Sequence, residues 1–302
     1  MKYLFISAIL SLLMVGCNKS NNIVTTPTTT IQVKGSDTMV NLAQAWAEEY
    51  VKTNPAINVE VCGGGSGVGI AALEKGIIDI ANSSRNMKPD EIDATKKITG
   101  KLPVEFVVGY DALGVYVHID NPINEITIEQ LAQIYVANGK INKWSDIGIK
   151  IPNGEDNIVL VNRQSSSGTY EFFREHVLNK KDFRLGSRDM NGSKEVVELV
   201  SFTKAAIGYS GMGYNIPGKV KMLKIAKAAG IPSVEPTMIN ALNKSYPLSR
   251  SLLCYTLGEP AGELKKYLDW CVSPPGQKIV EQTGYVHSQL NERQLSFCFY
   301  LF

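Results

Sequence analysis

Three short turns share one chemistry: Gly35-Ser36-Asp37-Thr38, Gly65-Ser66-Gly67 and Ser167-Gly168-Thr169. Each follows a stretch that reads as a strand and precedes one that reads as a helix. A helix start leaves backbone N–H groups without intrahelical partners and carries partial positive charge. Glycine lets an oxyanion approach the backbone closely, and Ser and Thr hydroxyls add donors. In an open α/β sheet such turns share the edge at the carboxyl ends of the strands. Three of them aimed at one spot make a dehydrating cage for a small tetrahedral anion. Arg163, four residues before Ser167, supplies a strong positive charge and a planar fork that can hold two oxygens. Singly, each turn is no more than an ordinary helix cap contributing about 1 kcal/mol. Their combination with the arginine points to anion binding.

Other chemistries fit less well. Gly63 to Gly69 lacks the Gly-Lys-Ser/Thr of a P-loop, and its spacing misses the dinucleotide fingerprint. No Gly-x-Ser-x-Gly marks a nucleophile elbow. His118 sits in an apolar strand run and His176 in an amphipathic helix, where structural roles suffice. No His, Cys or carboxylate cluster has metal-ligand spacing. A secreted phosphate-ester hydrolase would need a nucleophile, a base or metal ligands beside the cage. The residues favour instead a binding protein with no catalytic group, cofactor or metal.

The elements that must carry these turns alternate between strand and helix. Ile31 to Val33 reads as a strand before the first turn, and Met39, Leu42, Ala43, Trp46, Ala47 and Tyr50 recur at helical spacing after it. Ile57 to Val61 leads into the second turn and a helix through Leu73; Ile77 to Ala81 is a strand into Asn82-Ser83-Ser84-Arg85. Val104 to Val108 and Gly114 to Val117 read as apolar strand runs, and Ile128 to Tyr135 as a helix. Ile158 to Asn162 is a strand into Arg163 and the third turn, with Tyr170, Phe173 and Val177 on the helix beyond. A helix over 193–200, strands over 206–209 and 252–257, and helices over 263–270 and 277–282 complete the series. This rhythm predicts an α/β fold with a mixed sheet flanked by helices.

The 31 basic and 29 acidic residues give a net charge of +2, which excludes nucleic-acid binding driven by bulk charge. Lys2 and the apolar run Tyr3 to Val15 form a segment too short to span a bilayer, and residues 1–16 read as a secretory signal peptide. Its end, Met14-Val15-Gly16-Cys17, resembles the bacterial lipobox, with methionine where leucine is usual; acylation of Cys17 would hold the chain at a membrane surface. The polar, threonine-rich residues after it make 17–30 a lipidated tether, so folding should start near Ile31. Of the remaining cysteines, Cys62, Cys254, Cys271 and Cys298, buried free thiols are the expectation, with Cys254 to Cys271 the one pairing considered. The apolar tail from Leu295 to Phe302 has no physical account.

At these turns the sequence resembles the phosphate-binding component of ABC importers, in the periplasmic-binding-protein family. The resemblance covers about Ile31 to Val286 and includes Asn142 to Gly148, Ala206-Ile207-Gly208-Tyr209 and Gly284-Tyr285-Val286. Its most specific element is Arg163-x-x-x-Ser167-Gly168-Thr169. By that match the ligand-binding set is Ser36, Asp37, Thr38, Ser66, Ser84, Arg85, Arg163, Ser167, Gly168 and Thr169. The resemblance implies a type II, two-lobed fold with the ligand in the interlobe cleft. One lobe would hold 31–110 plus 254–302 and the other 111–253, with hinges near Asp111 to Leu113 and Pro247 to Leu253. It also implies an exported, lipid-anchored monomer delivering inorganic phosphate to the permease and ATPase subunits of an importer. The chain departs from the family where many members place an aspartate that accepts the phosphate proton: here the turn reads Ser83-Ser84-Arg85. Asp37 then either takes that role or caps the first helix. Arg85 either adds a second cation or pairs with a surface carboxylate. Another tetrahedral oxyanion (sulfate, molybdate or tungstate) remains the rival ligand, and a surface-interaction lipoprotein the rival that needs no Arg163.

Overall fold

In the computed structural model the described residues are 29–153 and 155–288. The signal segment, Cys17, most of the tether, Cys298 and the apolar tail lie outside them. In chain order the elements are β1 (Thr29–Gly35), α1 (Val40–Thr53), β2 (Ile57–Cys62), α2 (Ser66–Glu74), β3 (Ile80–Ser83), α3 (Pro89–Thr99) and β4 (Pro103–His118). Then come β5 (Glu125–Thr127), α4 (Ile128–Tyr135), β6 (Val159–Arg163), α5 (Gly168–His176), β7 (Arg188–Met190), α6 (Ser193–Phe202) and β8 (Ala206–Gly211). The remainder is β9 (Val220–Met222), β10 (Lys224–Ala226), α7 (Met238–Leu242), β11 (Ser249–Leu257), α8 (Gly262–Cys271) and α9 (Pro274–Gln282).

One mixed sheet runs in the order β2-β1-β3-β11-β4-β8-β6-β7, with β9 on β4, and a small pair joins β10 to β5. β1, β2 and β3 are parallel, as are β8, β6 and β7, whereas β11 and β4 are antiparallel to their neighbours. Strand alternation explains the cores. In β1 the buried Ile31 and Val33 face Leu42, Trp46 and Tyr50 of α1, and α8 and α9 close the same face. On the opposite face Ile70 and Leu73 of α2 pack on Ala81, Leu253 and Tyr255. The second part of the sheet repeats the scheme, with α4 and α5 on one face and Val196, Val197 and Val200 of α6 on the other.

β4 connects the two parts. The two apolar runs expected at 104–108 and 114–117 are one strand of 16 residues. Its first half pairs with β11, from Pro103↔Leu257 to Ala112↔Ser249, and its second half pairs with β8 from Leu113↔Gly211. Gly109 lies inside this strand where Val286 approaches closely: an added Cβ would sit 3.0 Å from the Val286 carbonyl oxygen. The boundaries at 110/111 and 253/254 both fall inside continuous strands. Pairing starts at Thr29↔Ile57, two residues before the expected start of the folded part. Cys254 and Cys271 are buried free thiols, and Cys62 is free and exposed. Burial pushes the Cys254 thiol up to about 12. Among the described residues no helix is long and apolar enough to cross a membrane.

Candidate functional site

The parallel strands aim their carboxyl ends at one place. β1 ends at Gly35, whose positive φ carries the chain so close to β3 that a Cβ would overlap the Asn82 carbonyl. Ser36 follows and donates its hydroxyl to Ser84 Oγ at 3.0 Å; Ser84 N–H in turn donates to Ser66 Oγ at 3.1 Å. Ser66 opens α2 and lies 3.4 Å, oxygen to oxygen, from the Ser84 hydroxyl. From the second part of the sheet, Gly168 opens α5 against these serines: an added Cβ would overlap Ser66 Oγ and sit 2.8 Å from Ser84 Oγ. Ser167 is the N-cap of α5, its hydroxyl accepting the Thr169 and Tyr170 N–H groups. Thr169 Oγ1 is 2.9 Å from Thr38 Oγ1. Ser36, Thr38, Ser66, Ser84, Ser167 and Thr169 are all buried. Six hydroxyls and the starts of α2, α5 and a 3-10 helix over Asp37–Met39 therefore converge in a region shielded from water, where hydrogen bonds to an anion are strongest.

Arg163, at the end of β6, is 1% exposed. Its guanidinium donates to Asp37 Oδ2 at 2.7 Å, Ser193 Oγ at 2.8 Å and the Asn191 carbonyl at 3.0 Å, while its buried Nε–H has no partner among the described residues. Burial pulls its pKa below the ordinary arginine value, opposed by the Asp37 carboxylate. Asp37 does not cap α1. Its Oδ1 accepts the Gly64 N–H at 2.8 Å and its Oδ2 accepts Arg163, so it links the loop before α2 to β6. The first turn is fixed from behind: Tyr214 donates its hydroxyl to the Asp37 carbonyl and Tyr285 donates to the Thr38 carbonyl, each at 2.6 Å.

Arg85 stands apart from this group. Its guanidinium forms a bidentate pair with Glu91 on α3, at 2.8 and 2.6 Å, and donates to the Asn86 carbonyl. Arg85 is thus in an ion pair, and it faces a cavity of about 370 Å³ that Lys88, His176 and Arg250 also line. Glu91 is a partly buried partner, not a surface one.

One cation went unnoticed in the sequence. Arg250, at the start of β11 and 5% exposed, donates to Thr169 Oγ1 at 3.0 Å and Thr38 Oγ1 at 3.3 Å. It pairs with the buried Asp111 at 2.8 Å. Burial pushes the Asp111 carboxyl up, while Arg250 and the Met212 N–H pull it back. A signal was present: Leu248, Arg250 and Leu252 alternate along one strand face, so the arginine occupies an inward position. Among the described residues no group of three His, Cys, Asp or Glu side chains could hold a metal ion.

A family model described as a PBP superfamily domain matches residues 21–275. The phosphate-binding protein PstS of Pseudomonas aeruginosa is 37% identical over 262 residues, 83% of this chain and 81% of that protein. The phosphate-binding protein PstS of Bacillus subtilis is 31% identical over 259 residues, covering 85% and 80%. Among solved structures, a Clostridium perfringens substrate-binding protein with bound phosphate superposes with a TM-score of 0.75 at 28% identity, over 86% of this chain and all of that one.

Proposed function

The chain belongs to the PBP superfamily and, within it, to the phosphate-binding proteins named PstS, and on that premise we propose that it captures inorganic phosphate in the hydroxyl-lined cage for ABC-type import. The observation that carries this reading is the convergence of Arg163 with six buried hydroxyls, five of them at three helix or 3-10 starts. Arg163 supplies the charge, and its Nε–H, without a partner among the described residues, is a buried donor available to a ligand oxygen. Ser36, Thr38, Ser66, Ser84 and Thr169 supply hydroxyls, and the Gly168 N–H stands at the first position of α5. Ser167 contributes by capping that helix. Arg85 is committed to Glu91 and acts at the rim.

Asp37 is the proton acceptor. Hydrogen phosphate has an O–H to donate and sulfate has none, so a carboxylate facing the anion accepts the first and repels the second. Two of the carboxylate's lone-pair positions are taken by Gly64 and Arg163, which leaves capacity for a third donor.

The two parts of the sheet act as lobes that open and close on the crossing strands β4 and β11, with the anion held between them. The receptor performs no chemistry on its ligand. It is exported, held at a membrane by acylated Cys17, acts as a monomer and hands phosphate to permease and ATPase subunits. Replacing Arg163 by alanine is expected to weaken phosphate binding at least about a hundredfold, the scale of two charge-assisted hydrogen bonds. Calorimetric titration checks this, with a thermal melt to confirm folding. Parent-like affinity in that variant would sink the site assignment.

A further inference from the structure

Asp111 and Arg250 are register partners on β4 and β11, one residue pair before β4 leaves β11 for β8. Their side chains are 0% and 2% exposed, and the remaining Asp111 oxygen accepts the Met212 N–H at 2.9 Å. The guanidinium, 5.6 Å from the Phe172 ring centre, thus has its Nε and one terminal nitrogen held by Asp111. Both terminal nitrogens also reach the cage, one donating to Thr169 Oγ1 and the other to Thr38 Oγ1.

Thr38 and Thr169 lie 2.9 Å apart, so one hydroxyl donates to the other. The accepting oxygen then has both lone pairs occupied, one by its neighbour and one by Arg250. Only its hydrogen is left to give. Turning that oxygen's lone pair toward a ligand would leave a buried guanidinium N–H without an acceptor, which is costly. We propose that Arg250, held by Asp111 across the connecting strands, is a positioning residue that makes the accepting hydroxyl of the Thr38–Thr169 pair a one-way donor to the bound anion. Because the Arg250–Asp111 pair is neutral overall, its contribution is directional rather than one of net charge. Lysine, with its donors on a single nitrogen, cannot span two threonines and the carboxylate together.

This inference rests on the phosphate reading, and the test separates the two. The variant Arg250→Gln with Asp111→Asn leaves no buried charge unpaired. Calorimetric titration of the full chain with inorganic phosphate is run on parent and variant, each with and without Thr169→Val, beside thermal melts without added anion. The double variant is expected to fold and to bind phosphate about 10- to 100-fold more weakly. Thr169→Val should cost the parent about tenfold and the double variant less than about twofold, because the two changes remove one donor system. If the double variant does not fold, Arg250→Lys, which keeps a charge beside Asp111, carries the same expectation. Parent-like affinity without the guanidinium, or an equal cost of Thr169→Val in both backgrounds, overturns the proposal. A parent that binds no phosphate overturns the phosphate reading and this one together; a phosphate-binding parent with overturning variants removes this one alone.

Discussion

Asp37 makes both of its contacts across structure rather than within its own helix: Gly64 on one side and Arg163 on the other. A carboxylate so placed lowers the net charge of the cage, which is a poor design for holding any anion but a good one for holding an anion that brings a proton. Asp37→Asn keeps the shape while removing that charge. Phosphate affinity is expected to fall about tenfold or more, the scale of a hydrogen bond to a charged group, and sulfate affinity to hold or rise. Competition of both anions against one labelled ligand measures the ratio. An unchanged phosphate-to-sulfate ratio contradicts the role given to Asp37. The same local logic explains why Arg163 was legible in the sequence and Arg250 was not. Arg163 stands four residues from Ser167 at the end of a readable strand, so its neighbourhood is local. Arg250 meets Thr169 across 81 positions and Asp111 across 139, and only the pairing of β11 with β4 brings them together.

Elements with a clear apolar period were readable, and those held by polar contacts were not. α1 shows a stripe of Leu42, Ala43, Trp46, Ala47 and Tyr50, whereas α3 buries only Thr95 and so offers no period to find. What starts α3 is Glu91, which accepts the Lys88 N–H at 2.8 Å and the Arg85 fork. Burial works to raise the Glu91 pKa, but the Arg85 and Lys88 hydrogen bonds together hold it below the ordinary glutamate value. A depressed carboxylate contributes stability above its unfolded value of about 4.3 and loses it as pH falls through the folded value. Glu91→Gln is therefore expected to lower stability at pH 7 by about 1 kcal/mol, a figure reduced for partial exposure. The gap to the parent should narrow as pH falls below about 4. Urea unfolding across that range tests it, and a gap that stays constant with pH would contradict the assignment. The three-residue strands β5, β7, β9 and β10 escaped notice because alternation needs a longer run to be seen.

Over the whole molecule, contacts between the two parts of the sheet surround the cage. Gly67 N–H donates to the Ser166 carbonyl at 3.0 Å, Ser166 donates its hydroxyl to the Gly64 carbonyl at 3.1 Å, and Lys88 pairs with Glu171 at 2.9 Å. These three contacts are polar, and polar contacts suit a seam that forms and breaks. The mixed α/β architecture was readable because each strand-turn-helix unit is local. That β4 is one continuous strand through Gly109 was not, because its two apolar runs stand apart in the sequence and only Val286 beside Gly109 shows why a glycine belongs there. Calorimetric titration of the parent chain, stripped of bound anion, with phosphate and then with sulfate tests whether the cage takes a protonated tetrahedral anion. Saturable phosphate binding with no sulfate heat is the predicted result. Sulfate binding as tightly as phosphate, or no heat from either anion, would contradict it.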